Sequence, residues 1–136
     1  MPKTYVLDSY AILMLLDNEV GADQVQELLT KAAQKRTRVY MSQINLGEVL
    51  YIIERERGLL DAQKALVAIE QLPIELLTAS RERILKAAHI KATVRISYAD
   101  AFAAAAASEY NASLLTGDPE FSEIEDEISI IWLPHK

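Results

Sequence analysis

Four carboxylate residues are distinguished by where they fall between the apolar segments of the chain: Asp8, Glu48, Asp100 and Asp118. Asp8 and Asp118 come at or just beyond the ends of short apolar runs that are typical of strands. Asp100 opens a predicted helix, and Glu48 lies within an apolar one, where an uncompensated charge is costly. Clustered carboxylates repel one another and need protons or a cation. Because Mg²⁺ and Mn²⁺ favour oxygen ligands, the four residues indicate metal-assisted phosphoryl chemistry.

The segments that must position these residues alternate between β-prone and helical patterns. We expect strands over residues 4–7, 38–41, 74–77, 113–116 and 128–132, and helices over residues 10–16, 23–34, 43–57, 60–71, 80–93 and 97–110. This alternation predicts an α/β fold in which helices cover both faces of a parallel sheet of about five strands. In the order 3-2-1-4-5, strands one and four flank the point where strand order reverses, which is where open α/β sheets bind ligands. Asp8 and Asp118 would then share one crevice.

The three aspartates also have an alternative role as helix caps. Asp8 fits an N-cap, and Asp118 precedes Pro119 in the way that an N-cap precedes a proline at the first helical position. Asp100 follows Ser97 by three residues, which resembles a capping box with aspartate in place of glutamate. Taken singly, each aspartate fits a cap better than a ligand, so the case for a metal site depends on their convergence.

Glu48 is more difficult to explain as an ordinary surface residue. Ile44 and Ile52 lie four residues to either side of it, on the same stripe of the predicted helix. A solvated glutamate usually has polar neighbours on its stripe. Asn45 lies three residues earlier, close enough to hydrogen-bond a ligating carboxylate.

Composition limits the class of protein. The chain has 136 residues and a net charge of −6, and half of its residues are apolar, which suits one globular domain. It has no cysteine and two histidines, which excludes disulfides and thiolate zinc sites and disfavours a multi-histidine site. The acidic charge does not suit a broad basic surface for nucleic acid, but bound metal would cancel part of it at a nuclease site. Without a signal peptide or a membrane-length apolar run, we expect a cytoplasmic protein that has no contact with a membrane.

Four segments resemble, in order and spacing, the four acidic motifs of the PIN domain family. They are VLDSYA at residues 6–11, INLGEV at 44–49, YADAFA at 98–103 and LTGDPEF at 115–121. The resemblance extends over essentially the whole chain, residues 1–136, as a single PIN-like nuclease domain. Within the family, this compact form is most similar to the VapC-type toxins of bacterial and archaeal toxin–antitoxin pairs.

The resemblance implies an endoribonuclease that depends on Mg²⁺ or Mn²⁺ and hydrolyses RNA phosphodiester bonds. Asp8, Glu48, Asp100 and Asp118 would form its acidic metal pocket, with Asp8 and Asp100 as the tightest ligands. Supporting polar side chains would lie beside that pocket: Ser9, Asn45 and Thr116. The hydroxyl groups would orient a carboxylate, a water or the scissile phosphate.

The resemblance also implies protein partners. A cognate antitoxin would wrap the toxin and insert a basic tail into its pocket, since arginine complements clustered carboxylates. The family commonly forms homodimers. Apolar residues around 12–16 and 25–29 are a candidate surface for these contacts, with core packing as the competing explanation.

Two expectations concern segments outside the motifs. The alanine run at residues 103–107 is explained by helix propensity alone. The tail after Trp132 is expected to be frayed.

Other functions are compatible with part of this pattern. One is a non-catalytic PIN-like module that binds RNA or protein, which loss of the acids would favour. A phosphoryl-transfer enzyme with Asp8 as nucleophile would need a second aspartate two residues later, where this chain has Tyr10. A receiver domain would need an acidic pair near the first strand and a lysine after the last, where only Lys136 is found.

Overall fold

The computed structural model describes residues 2–134 and contains, within them, five strands, six α-helices and one 3-10 helix. The strands are β1 (Lys3–Leu7), β2 (Thr37–Ser42), β3 (Glu75–Leu77), β4 (Ser113–Thr116) and β5 (Ser129–Trp132). The α-helices are α1 (Ser9–Leu16), α2 (Ala22–Ala33), α3 (Gln43–Arg57), α4 (Leu59–Glu70), α5 (Arg81–Thr93) and α6 (Tyr98–Glu109), and the 3-10 helix is Pro119–Ile124. No helix in this part of the chain combines the length and apolar character needed to span a membrane.

The five strands form one parallel sheet in the order β3-β2-β1-β4-β5, which confirms the predicted order. In the centre, Val6 of β1 pairs with Tyr40 of β2 on one side and with Leu114 of β4 on the other. Asp8 directly follows β1, and Thr116 ends β4. Because parallel strands end at the same edge, these two residues lie next to each other at the carboxyl edge of the sheet.

Helices cover both faces of the sheet, so that each face has its own core. Val6 packs with α5, α6 and the 3-10 helix, whereas the next residue, Leu7, packs with helices α1 to α4. Both side chains are completely buried. Burial on both faces explains why consecutive residues of a central strand, such as Val6 and Leu7, are both apolar rather than alternating with polar ones.

The alanine run of α6 is a packing surface. Every residue from 101 to 107 is buried, and all of them except Phe102 are alanine. The helix contacts β1, β2 and β4 on the sheet and α3 and α5 beside it. Small side chains allow this close approach of backbones, so helix propensity alone does not account for the run.

The early helices contribute to the core rather than to a partner surface. Residues 12, 14, 25, 28 and 29 are buried in the core on the α1-to-α4 face of the sheet, and residues 13, 15 and 16 pack partly against it. Of the two explanations left open for these segments, core packing accounts for the buried residues, while residues 13, 15 and 16 are half-buried. Among the large exposed apolar side chains, four lie on the hairpin of α3 and α4: Tyr51, Leu59, Leu60 and Val67. Others lie elsewhere, including Val20 between α1 and α2.

The segment after β5 is also ordered by contacts. Leu133 is buried, and its backbone N–H donates to the Thr116 carbonyl oxygen at 2.8 Å. The expected fraying after Trp132 is therefore wrong for this residue. Pro134 is exposed, and the last two residues of the predicted tail, 135 and 136, lie outside the described part of the chain.

Candidate active site

Two hydrogen bonds fix the Asp8 carboxylate at the carboxyl end of β1. Its Oδ1 accepts the Ala11 backbone N–H at 2.9 Å, which makes Asp8 the N-cap of α1. Its Oδ2 accepts the Thr116 hydroxyl at 2.5 Å. The residue is buried. Asp8 can cap the helix and also serve as a metal ligand, because a carboxylate keeps lone pairs after accepting both bonds.

The Thr116 hydroxyl also connects Asp8 to the loop that carries Asp118. It donates to Asp8 and accepts the Asp118 backbone N–H at 3.0 Å. Asp118 caps the 3-10 helix, since its Oδ1 accepts the Glu120 backbone N–H at 2.9 Å. Thr116 is completely buried. One hydroxyl thus sets the position of one acid and of the backbone of another.

Asp100 does not act as the closing residue of a capping box. The Ser97 hydroxyl oxygen accepts the Asp100 backbone N–H at 3.1 Å, which caps α6. The Ser97 backbone N–H, which Asp100 would accept in a closed box, is donated to Glu120 Oε1 at 3.0 Å. Asp100, buried, lies instead with Asp118 and Glu120, and one carboxylate oxygen from each is within 4.8 Å of the others.

Glu48 approaches from α3 and is half-buried. Its Oε1 accepts a short hydrogen bond from the hydroxyl of Ser9, the residue that follows Asp8. The charge of Glu48 raises the pKa of Asp8, as does the charge of Asp118. This bond fixes the Glu48 carboxylate against the first turn of α1.

Asn45 has a partner other than the one expected. Its side chain is completely buried, and its Nδ2 donates to the Ala99 carbonyl oxygen at 3.1 Å rather than to a ligating carboxylate. This bond ties α3 to the residue before Asp100. Its Oδ1 is buried and has no hydrogen-bond partner within residues 2–134. A buried acceptor without a partner is rare and suggests a position for water or ligand.

Burial and mutual repulsion favour the protonated forms of the two innermost acids. Burial raises the pKa of Asp8 to about 7, against the opposing hydrogen bonds from Thr116 and Ala11. The pKa of Asp100 is raised to about 9, first by burial and then by Asp118, Asp8 and Glu120. Strong shifts of this kind, caused by both burial and like charge, are common at functional sites.

The acidic cluster of Asp100, Asp118 and Glu120 offers only oxygen donors, which are the ligands that a hard divalent cation prefers. Its negative charge has no basic partner: the ion pairs found within the described residues lie elsewhere and join Lys31 to Glu27, Arg57 to Asp17 and Arg83 to Glu109. A cation would relieve the repulsion that otherwise raises the pKa of the acids.

Two contacts near the acids were not predicted from the sequence. Glu120 lies in a quoted motif but was given no role, although it bonds Ser97 and joins the acidic cluster. The Tyr10 ring lies against Gly117, where an added Cβ would be 2.3 Å from Tyr10 Cε1. The only available signal for Glu120 was its place two residues after Asp118, which does not identify a bond to Ser97.

A groove of about 500 Å³ between α5 and α6 contains none of the four predicted acids. Its Arg83 donates to both carboxylate oxygens of Glu109, to the carbonyl and hydroxyl oxygens of Thr78, and to the Tyr110 hydroxyl. The guanidinium is therefore committed to holding α5 against its neighbours.

Comparison with known proteins agrees with this architecture. The model of a family described as PIN domain matches residues 5–127. Among curated proteins, none matches the chain significantly.

Solved structures provide the fold comparison. VapBC2 from Rickettsia felis, bound to a DNA fragment from its promoter, is 18% identical with a TM-score of 0.75, covering 96% of this chain and 99% of that one. VapBC-1 from nontypeable Haemophilus influenzae is 23% identical with a TM-score of 0.70, covering 95% and 97%. VapC20 from Mycobacterium tuberculosis, described as a Sarcin-Ricin loop cleaving toxin, is 18% identical with a TM-score of 0.67, covering 88% and 93%. At these identities, the likeness shows a shared fold.

Proposed function

Because this chain belongs to the PIN domain family, we propose that it is a metal-dependent endoribonuclease and the toxin of a VapBC-type toxin–antitoxin pair. The observation that carries the proposal is the convergence of Asp8, Glu48, Asp100 and Asp118 from four separate segments at the carboxyl edge of the sheet. Structural likeness to a VapC20 described as cleaving the Sarcin-Ricin loop supports RNA as the substrate. The proposal treats residues 1–136 as one catalytic domain.

Asp8 and Asp100, the most buried of the four acids, would hold Mg²⁺ or Mn²⁺ most directly. Asp118 and Glu48 complete the negative pocket. When bound, the cation supplies a water of lowered pKa and offsets charge on the scissile phosphodiester. Ser9 and Thr116 keep Glu48 and Asp8 in place through the hydroxyl bonds described above. The four acids supply the negative charge that would hold the cation, and none of them needs to transfer a proton itself.

Single-stranded or loop RNA is the substrate class that suits this pocket, because an unpaired backbone can enter a narrow site. We propose a cytoplasmic location, where an RNA substrate of this kind is available. No broad basic surface is required, since turnover needs only modest affinity and the cation contributes attraction for phosphate.

An antitoxin and a second copy of the chain are the proposed protein partners. The exposed apolar residues of α3 and α4 offer a surface for a protein segment, and the acidic pocket suits an arginine from that segment. The printed descriptions of the R. felis and H. influenzae structures name VapBC pairs, which supports an antitoxin here. Homodimerisation is proposed on the family resemblance.

The test is cleavage of a mixed RNA pool that includes transfer RNA, in Mg²⁺, Mn²⁺ or chelator. Wild type is compared with Asp100→Asn purified in the same way, so that contaminating nuclease is exposed. We expect cleavage that requires metal and is lost in the variant. Absence of cleavage by well-folded, antitoxin-free protein in both metals, together with no metal binding, would contradict the proposal.

A further inference from the structure

Glu120 bonds the start of α6 and also lies in the acidic cluster with Asp100 and Asp118. Glu120 Oε1 accepts the Ser97 backbone N–H at 3.0 Å, and a carboxylate oxygen of Glu120 lies within 4.8 Å of those of Asp100 and Asp118. Glu120 is on the 3-10 helix after β4, whereas Ser97 is the N-cap of α6. The residue therefore joins the two elements that carry Asp118 and Asp100.

The bond to Ser97 has a direct consequence for Asp100. In a capping box, the residue three positions after the N-cap returns a side-chain bond to the N-cap backbone N–H. Asp100 occupies that position, and its own backbone N–H already makes the other half of the box with the Ser97 hydroxyl. Because Glu120 takes the Ser97 N–H, the Asp100 carboxylate is not drawn back onto the helix end.

We propose that Glu120 is a positioning residue for Asp100, acting as a substitute cap that leaves the Asp100 carboxylate free to bind metal. The inference rests on the proposed function, in which Asp100 is a ligand. What Glu120 supplies is an oxygen acceptor at the Ser97 N–H. Glu120 is exposed and Asp100 is buried, and the inference assigns the bond to Ser97 to Glu120 and the metal-binding role to Asp100.

An acceptor role and a ligand role respond differently to substitution. Glu120→Gln keeps an oxygen that can accept the Ser97 N–H but removes the charge, and Glu120→Ala removes both. Glu123→Ala is a matched control, because Glu123 is an exposed residue of the same 3-10 helix and its removal changes net charge by the same amount. All three variants are compared with wild-type protein of full length.

Two measurements are made on each protein. The first is hydrogen exchange of the Ser97 amide in metal-free buffer, which reports the bond without any catalysis. The second is Mn²⁺ affinity by calorimetric titration. We expect Glu120→Ala to speed exchange at Ser97 by about tenfold or more and to weaken Mn²⁺ binding by about tenfold, the usual scale for outer partners of metal ligands. Glu120→Gln should stay within about threefold in both, and Glu123→Ala should match wild type.

Other outcomes separate the inference from the proposed function. If Glu120→Gln weakens Mn²⁺ binding as much as Glu120→Ala does, Glu120 acts through its charge and the positioning role is overturned. Unchanged Mn²⁺ affinity in Glu120→Ala would overturn it as well. If wild type binds no Mn²⁺, the function proposed for the site fails, and the positioning role fails with it, whatever the exchange at Ser97.

Discussion

The hydroxyl of Thr116, at the end of β4, donates to Asp8 Oδ2 at the end of the neighbouring strand β1, and the oxygen-to-oxygen distance is 2.5 Å. The same hydroxyl accepts the backbone N–H of Asp118. The pairing of β1 with β4 thus sets the position of Asp8 relative to Asp118 through this one hydroxyl.

Thr116→Val should therefore impair the site without removing an acid. A buried carboxyl and a backbone N–H lose their shared partner, which costs about 1–3 kcal/mol of stability. We expect RNA cleavage to fall about 10- to 100-fold, the scale seen when outer partners of metal ligands are lost. Thr116→Ser, which keeps the hydroxyl, is the control for cleavage and urea unfolding. Equal activity of the valine and serine variants would refute the role of the hydroxyl.

Asp8→Asn should separate two roles of Asp8, as the N-cap of α1 and as a source of negative charge. Asparagine is as good an N-cap as aspartate, so the Ala11 contact survives, while cleavage is abolished because an amide does not replace the carboxylate as a ligand. In chelator at pH 8, its melting temperature should equal or exceed that of wild type, since a buried charge is removed. Asp8→Ala, which loses the cap as well, should be less stable than Asp8→Asn by about 1 kcal/mol. A marked loss of melting temperature in Asp8→Asn would indicate that the acid is structural.

The stability of the metal-free protein should decrease as pH rises. The pKa values of Asp8 and Asp100 are raised in the folded state to about 7 and about 9, so the folded state binds these protons more tightly than the unfolded chain does. Their stabilising contribution is complete below pH 4 and is lost as pH rises through the folded pKa values. We expect the melting temperature in chelator to fall by about 5 °C or more between pH 5 and 9.

Divalent metal provides the internal control for this pH dependence. Mn²⁺ should raise the melting temperature most at the alkaline end, where the acids are ionised and able to bind it. Asp100→Asn should show a shallower fall with pH than wild type. A melting temperature that is constant or rises from pH 5 to 9 in chelator would contradict the raised pKa values.

Gly117→Ala should displace the Tyr10 ring. An added Cβ would lie 2.3 Å from Tyr10 Cε1 and 2.6 Å from Cζ, so the ring has to move at a cost of about 1–3 kcal/mol. In a Tyr10→Ala background, the same change should cost much less, which urea unfolding of the four proteins in the double-mutant cycle would measure. Gly47→Ala is the matched control, because a Cβ there meets nothing within 4 Å. It should stabilise α3 by up to about 1 kcal/mol. Additive costs in the cycle would show that the ring is not the obstacle.

The parallel sheet was predictable because strands alternate with helices along the chain. Alternation alone does not fix the strand order, which was inferred by placing strand four beside strand one, so that Asp8 and Asp118 share one edge. The difference between cap and ligand was not predictable for Asp100. It depends on Glu120, twenty positions later in the chain, accepting the Ser97 N–H. Local sequence around Asp100 contains no sign of that bond.

Burial was predicted less well than secondary structure. An amphipathic pattern identifies the apolar face of a helix but not what covers it, which is why Val25 and Leu29 were compatible with either a core or a partner surface. Asn45 shows a similar limit. Its spacing from Glu48 suggested a shared site, yet its partner is the Ala99 backbone on another helix.

The buried alanines of α6 determine how the chain tolerates change far from its acids. Alanine has no side-chain rotamers to restrict on folding, so this helix is held by backbone contact and has one packing arrangement. A larger residue at Ala104 or Ala106 would not be accommodated by rotation of a neighbouring side chain. It would shift α6 as a whole, together with Asp100 in its first turn. A displacement of about 1 Å can reduce a catalytic rate about a hundredfold. We therefore expect larger residues at these positions to lower the cleavage rate as well as the stability of the fold.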